Sequence, residues 1–538
     1  MQAHSFPLLA LALLLSASLH SRTSLADEKP APSTPVKAPA EAEKFNIWEF
    51  RVLGNTQLSS PEIERVVYPF LGAGKIFDTV EAARSALEKY YHDQGYGTVF
   101  VDIPEQEVGD GVVRLRVTEG RLAHVKITGA RYFSGRIIRS QLPEAEAGTV
   151  PNVTKLQQQL ALVNSRSPDY AVVPVLHAGK TPGTVDLDLK VQDHVPLHGS
   201  LEINNQRNPD TKPLRTNASL SYDNVGQRGD SVSFQYQTAP QDPSNVRVVA
   251  GTYVFRLPDD LPAVTLYAID THSDVATIGT LSVLGTGDIF GVRLVWPITN
   301  TATRTESVSV GLDYKKFLDN VNVTPTQKIT TNVNYLPFTV SYSVNLNDLH
   351  GGATTLSCGL TFGPRGLVSS QAAFENTRYN APSDFIYFRG SGARTQPLPF
   401  GASAHLQVDA QASPGPLISN EQFTVGGAQS VRGYFESENL GDSGVRASFE
   451  LRSPALHPRA SPSNRIYGYG FYDWAAIEMH DPLPNQAGSA TLRSTGVGLR
   501  FNALDHLDGN IDWAYILENG PRTLNGDSRY NFSFRYGF

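Results

Sequence analysis

The sequence predicts two small α+β modules in tandem, each of βααββ order, followed by an antiparallel transmembrane β-barrel of about 16 strands. Three observations predict it. The βααββ order occurs twice between residues 45 and 194, and helical periodicity disappears after about residue 195. The chain then ends on Tyr530-Asn-Phe532-Ser-Phe534-Arg-Tyr536-Gly-Phe538, where every second residue is aromatic. Such a strand puts aromatic side chains toward lipid and Asn, Ser, Arg and Gly toward a wet lumen. A soluble sandwich also alternates, but the leader described next favours the membrane.

The 538 residues exceed one ordinary domain. Charged residues make up 18%, hydrophobic residues only 40%, and the formal charge is −7. This is not the composition of a helical membrane protein, and the charge gives no case for a nucleic-acid partner. Residues 1–26 read as a signal peptide: Phe6–Leu15 is apolar and Ser24-Leu25-Ala26 is a small-x-small cleavage site before Asp27. No Lys or Arg precedes that apolar core, a departure from the usual pattern. No other segment reaches the roughly 20 apolar residues of a spanning helix, so a chain that enters a membrane must do so as a closed barrel. The single cysteine, Cys358, excludes an intramolecular disulfide. It lies on the apolar side of Leu356-Ser-Cys358-Gly-Leu360 and is expected to be a small buried or lipid-facing hydrophobe.

Residues 27–44, rich in Pro, Ala, Glu and Lys, have no apolar face and read as a disordered linker. The first module is expected over 45–120. A strand and turn cover Ile47–Asn55. Ser60 is the expected cap of a helix with Ile63, Val66, Val67 and Phe70 on one face. Asp78 heads a second helix with Val80, Ala83, Leu87, Tyr90 and Tyr91 at helical spacing, and two strands follow. The second module, 121–194, repeats the order. Its Ile127-Thr-Gly129-Ala130 parallels Val52-Leu-Gly54-Asn55, and Asn152 caps a helix carrying Leu156, Leu160 and Val163. The barrel is expected over 195–538, in short alternating segments such as Phe338–Leu346, separated by Gly, Asn, Asp and Pro.

Three strings in the barrel region stand out. Asp223-Asn224-Val225-Gly226-Gln227-Arg228-Gly229-Asp230 has the make-up of a tight hairpin turn. Val431-Arg432-Gly433-Tyr434 follows two glycines and precedes Asn439-Leu440-Gly441-Asp442-Ser443-Gly444. Phe471-Tyr472-Asp473 lies further on. Together and in this order they resemble the first hairpin, the inserted loop and the inner-wall motif of the two-partner secretion transporters. These are the ShlB/FhaC/HecB hemolysin secretion/activation family of the POTRA-plus-barrel superfamily, and the paired modules look like POTRA domains. The resemblance covers about residues 45–538. It implies a loop that folds back into the barrel, with Arg432 received by Asp473 on the wall. A charge-assisted, bidentate contact is the natural form of that pairing, with Tyr434 and Phe471 beside it. Two features depart from the family pattern. Ala475 stands where the wall motif usually has glycine, and the Pro-rich 27–44 is expected to hold no N-terminal plug helix, so the pore would be closed by the inserted loop alone or be leakier.

Gly441-Asp442-Ser443-Gly444 looks like a serine-protease nucleophile segment, but no partner His and Asp signal accompanies it, and a turn before the next strand is the better reading. The scattered His residues have no metal spacing, and there is no phosphate loop. No enzyme activity, cofactor or metal is expected. The resemblance implies a protein of the Gram-negative outer membrane with its modules in the periplasm. It would export an unfolded, adhesin- or hemolysin-like partner that docks on the modules by β-augmentation and threads the barrel without nucleotide. Outer-membrane lipids, and the barrel-assembly machinery during biogenesis, would be its other partners. A barrel-assembly factor is the alternative, and a passive porin a further one.

Overall fold

The computed structural model describes residues 43–538, apart from 210, 245, 258–260, 274, 279–280, 302, 325–326, 369, 458–463 and 505. The signal peptide, nearly all of the linker and the expected lack of a plug helix lie outside the described residues. Two compact units result: one runs to Tyr90 and takes in Phe100–Thr118, the other holds Tyr91–Val99 and Glu119–Phe538.

In the first module the cap is Ser59 rather than Ser60. Its N–H and hydroxyl both donate to the Glu62 carboxylate, at 2.8 and 2.6 Å, so the helix Ser60–Val67 starts from a capping box. Ile63 and Val67 bury one face of it; Val80, Ala83 and Leu87 do so for the helix Phe77–Asp93. Strands Glu49–Leu53, Val112–Glu119 and Val99–Asp102 form the sheet, with Val112–Glu119 central. A small ribbon pairing Phe45–Ile47 with Gly72–Lys75 was not expected from sequence. Four residues that include two glycines carry no period-two signal.

The second module has the predicted order: strand Arg121–Thr128, helices Gly135–Ser140 and Val153–Ser165, strands Tyr170–Ala178 and Thr184–Asp193. Asn152 caps the longer helix, accepting the Lys155 N–H at 3.0 Å. Leu122, Leu156, Leu160, Val163, Leu187 and Leu189 make its core. Strand Thr184–Asp193 is central, which leaves Arg121–Thr128 and Tyr170–Ala178 as edges.

The barrel closes where Leu197–Asn204 pairs antiparallel with Ser528–Gly537. It has sixteen staves. Strand Arg304–Thr324 pairs with Phe338–Asn347 over one half and with Gln327–Tyr335 over the other, so these last two make one interrupted stave. Alternation sorts the side chains as expected. Leu201, Phe234, Phe290, Val340, Leu360, Phe449, Tyr530 and Tyr536 face outward, and Cys358 is on that outer, lipid-facing surface. Asp313, Glu450, Asp473 and Asp512 are buried inside.

Candidate functional site: a loop locked inside the barrel

Segment 413–442 joins strands Ser403–Ala412 and Ser443–Arg452 at the rim opposite the second module, and it turns inward. Its two limbs pair as a ribbon, Phe423–Val425 with Asn439–Gly441. Between them the Gly427 N–H reaches Val431 O at 3.2 Å and the Gly426 N–H reaches the Ser430 hydroxyl at 3.2 Å, so the tip is a hydrogen-bonded turn. Val431 and Tyr434 are buried with Phe423, Val425, Ile477, Leu492 and Ile516. Gly433 is required where it stands. Its φ is +95°, and a Cβ there would lie 3.1 Å from Ile516 Cγ1 and 3.2 Å from Ala514 Cβ.

The tip delivers Arg432 to the wall. Its Nε donates to Asp473 Oδ2 at 2.7 Å and its Nη2 to Asp473 Oδ1 at 2.7 Å, a bidentate fork. The Arg432 backbone N–H adds a third contact to Oδ2 at 3.0 Å. The other side of the guanidinium reaches Glu450 through Nη1 at 2.8 Å and Ser448 through Nη2 at 3.0 Å. Its plane lies over the Phe471 ring, 3.5 Å from the centroid. Ser448 stands opposite Asp473 in the strand register and donates to Oδ1 at 2.7 Å. Glu450 is shared with Arg500 at 2.9 Å and Arg452 at 2.7 Å, so no charge in the cluster is without a partner. Arg432 is 4% exposed and Asp473 0%. The Tyr434 hydroxyl donates to Glu518 O at 2.6 Å and accepts the Arg493 N–H at 3.3 Å, fixing the far side of the tip. The Ala475 methyl is absorbed in the apolar cluster under Val431, which is why that position accepts more than glycine.

The model of the family described as haemolysin secretion/activation protein ShlB/FhaC/HecB matches residues 183–501, and that of the ShlB-type POTRA domain matches 45–120. The chain belongs to the ShlB/FhaC/HecB family. It is an outer-membrane secretion transporter of the two-partner type, with its N-terminal modules in the periplasm. It is 21% identical over 485 residues to the heme/hemopexin transporter protein HuxB of Haemophilus influenzae strain 86-028NP, covering 88% of this chain and 84% of that one. It is 25% identical over 459 residues to the outer membrane transporter CdiB of Escherichia coli O6:K15:H31, covering 81% and 74%. The solved structure of CdiB from Escherichia coli shares the fold, with a TM-score of 0.60 at 21% identity and coverage of 94% and 93%.

The first hairpin of this ShlB-type chain is not part of the lock. It fastens the second module to the barrel rim. Asn224 and Gln227 both donate to Tyr132 O, at 3.2 and 2.9 Å, and Gln227 Oε1 accepts the Ser134 N–H at 2.8 Å. The Asn224 side-chain oxygen Oδ1 in turn accepts the Gly229 N–H at 3.3 Å, and Gly226 begins the turn. Asp230 holds the neighbouring strand by accepting the Arg256 N–H at 2.8 Å. Asp223 sits 3.6 Å from His198, whose other neighbour is Asp169 of the second module at 3.0 Å. These three side chains approach closely enough to share a metal ion. Of the two carboxylates, only Asp169 is within hydrogen-bond distance of His198 Nε2, with Oδ2 at 3.2 Å, and that contact joins the barrel to the second module. Sequence reasoning included Gln227 in the hairpin string without singling it out, and missed Ser448, Glu450 and Arg500. The period-two pattern places Ser448 and Glu450 on the lumen side, but only the pairing register sets them beside Asp473.

Proposed function

We propose that this protein exports an unfolded partner protein through its barrel, with the loop that carries Arg432 moving as the chain passes. The observation that carries the reading is the lock itself. A loop whose tip is held by one bidentate arginine and a small apolar cluster is a closure that is costly to leave half-made and discrete in its two positions. The client docks as an added strand on a module edge. Strand Tyr170–Ala178 supports this, being an edge that exposes Val173 and Leu176. The absence of a nucleotide motif in the sequence supports movement driven by folding outside. The outward apolar face fits outer-membrane lipid, and the barrel would enter it with the help of the barrel-assembly machinery. The client is of the adhesin or hemolysin kind.

The test compares culture supernatants and outer membranes of cells with and without the protein, and with Arg432→Ala or Asp473→Ala. The expected result is one large secreted protein lost from the medium, reduced by either variant, with other barrels normal. Full secretion by both variants would remove the lock from the mechanism. A joint decline of many outer-membrane barrels would instead make the protein an assembly factor.

A further inference from the structure

A wet lumen should be lined by polar groups, yet the outer half of this one holds an apolar cluster. Val248, Ala250, Ile269, Ile289 and Phe317 point inward from four neighbouring strands and are buried. The same buried cluster takes in Phe374, Ala381 and Phe385 of segment 370–385, together with Leu417 and Ile418 of the inserted loop. Segment 370–385 lies between the strands Ala353–Phe362 and Ile386–Pro397, at the rim opposite the second module. It starts with the short helix Gln371–Thr377, capped by the Ser370 hydroxyl, which accepts the Ala373 N–H at 3.1 Å. The helix drives Phe374, fully buried, edge-on against Tyr335 with ring centroids 5.6 Å apart, and Phe385 meets the same ring at 6.0 Å.

A buried ion pair ties the segment to the inserted loop, while its exposed contacts, Asn380 to Asp481 and Asp384 to Arg365, lie at the surface. Arg378 follows the helix and pairs with Asp442 through both terminal nitrogens, Nη2 to Oδ2 at 2.7 Å and Nη1 to Oδ1. The same guanidinium donates to His480 O at 2.8 Å and to Leu417 O. Asp442 is completely buried and also accepts the Leu417 N–H at 2.9 Å, Gln422 Nε2 at 3.0 Å and the His480 N–H at 2.7 Å. One carboxylate thus joins segment 370–385, both limbs of the inserted loop and the next outer turn. Glu421, on the same limb, is held to the wall by Lys315 and by the hydroxyls of Tyr335 and Tyr387, each at 2.6 Å. None of these contacts involves Arg432 or Asp473.

We propose that segment 370–385 is a second plug inside the outer half of the barrel, and that the Arg378–Asp442 pair is its latch, which must release in addition to the Arg432–Asp473 lock for the pore to open. Both closures meet in the inserted loop, so moving that loop from the wall pulls on Asp442 through the ribbon Phe423–Val425/Asn439–Gly441. The part of this that concerns passage of a client rests on the export reading; the closure itself does not.

The experiment is single-channel recording of the purified full-length protein in planar bilayers, with no client present. Two variants are compared with the unaltered protein after each is shown to be a closed barrel by its heat-modifiable migration. Arg378→Ala removes the latch alone, and replacement of 370–383 by a Gly-Ser linker of equal length removes the plug. The expected result is an open probability raised about tenfold or more by each, since deleting one partner of a buried pair costs well over the 1.4 kcal/mol of a tenfold shift. If both variants stay as closed as the unaltered protein, the proposal fails. If only the linker variant opens, Arg378 is not the latch. If only Arg378→Ala opens, the segment is not the plug. Secretion by Arg432 and Asp473 variants is a separate measurement, so either reading fails without the other.

Discussion

Replacing Asp473 by Ala tests how firmly the inserted loop is held. The substitution removes three contacts to Arg432, from Nε, Nη2 and the backbone N–H, and one from the Ser448 hydroxyl. Deleting one partner of a buried ion pair costs about 3–5 kcal/mol when the other charge is left alone. Here Glu450 still accepts from Nη1 at 2.8 Å, and Phe471 still lies under the guanidinium. The lower end of the range, about 3 kcal/mol, therefore applies. At about 1.4 kcal/mol per tenfold, the ratio of locked to unlocked loop falls roughly 100-fold. A buried thiol at the tip reads that ratio directly. Cys358 is the one native cysteine, and Cys358→Ser clears the background. Ser430→Cys then places a thiol at a position only 8% exposed, where the hydroxyl accepts one backbone N–H. If loop opening is rapid, the maleimide labelling rate scales with the open fraction. Labelling should accelerate roughly 100-fold in the Asp473→Ala background. A rate within about twofold of the unaltered background, with the barrel still heat-modifiable, would refute the account of what holds the loop.

Three further outcomes follow from the structure. Phe471→Leu removes the aromatic face beneath Arg432; losing a cation–π contact of about 1 kcal/mol should speed Ser430→Cys labelling about fivefold. Gly470→Ala meets only Gly496 O at 3.9 Å and should leave the rate unchanged. At the module junction, Gln227→Ala removes the contacts to Tyr132 O and the Ser134 N–H, worth about 1 kcal/mol each. Spin labels on the second module and the barrel rim should then show a broadened distance distribution, and an unchanged one would mean that the hairpin does not fasten the module.

The inserted loop meets its surroundings through two kinds of contact. Near the wall motif they are ionic, built on Arg432. Toward the outer rim they are apolar, in a cluster with Phe374, Phe385 and the inward-facing aliphatic side chains, with Asp442 at its edge. In Gly441-Asp442-Ser443-Gly444, which has the look of a nucleophile segment, the Asp442 carboxylate gathers the contacts of the loop and the Ser443 hydroxyl pairs with the Ser413 backbone. The serine begins the strand Ser443–Arg452.

Local pattern alone carried the fold class. Period-two alternation in strands such as Phe338–Asn347, helical spacing in Val80, Ala83 and Leu87, and the duplicated βααββ order are properties of residues close in sequence, and they were legible without coordinates. Asp473 as the partner of Arg432 was legible only through the resemblance of short strings in a fixed order. What no local pattern contains is register and long-range approach. Ser448 faces Asp473 because two strands pair at that offset and no other. Arg378 meets Asp442 across 64 residues, Gln227 meets Tyr132 across 95, and the apolar cluster gathers residues from Val248 to Ile418. Barrel closure fixes all of these at once: it is the cyclic pairing of sixteen staves that decides which inward side chains share a level, and a linear sequence does not encode that level residue by residue.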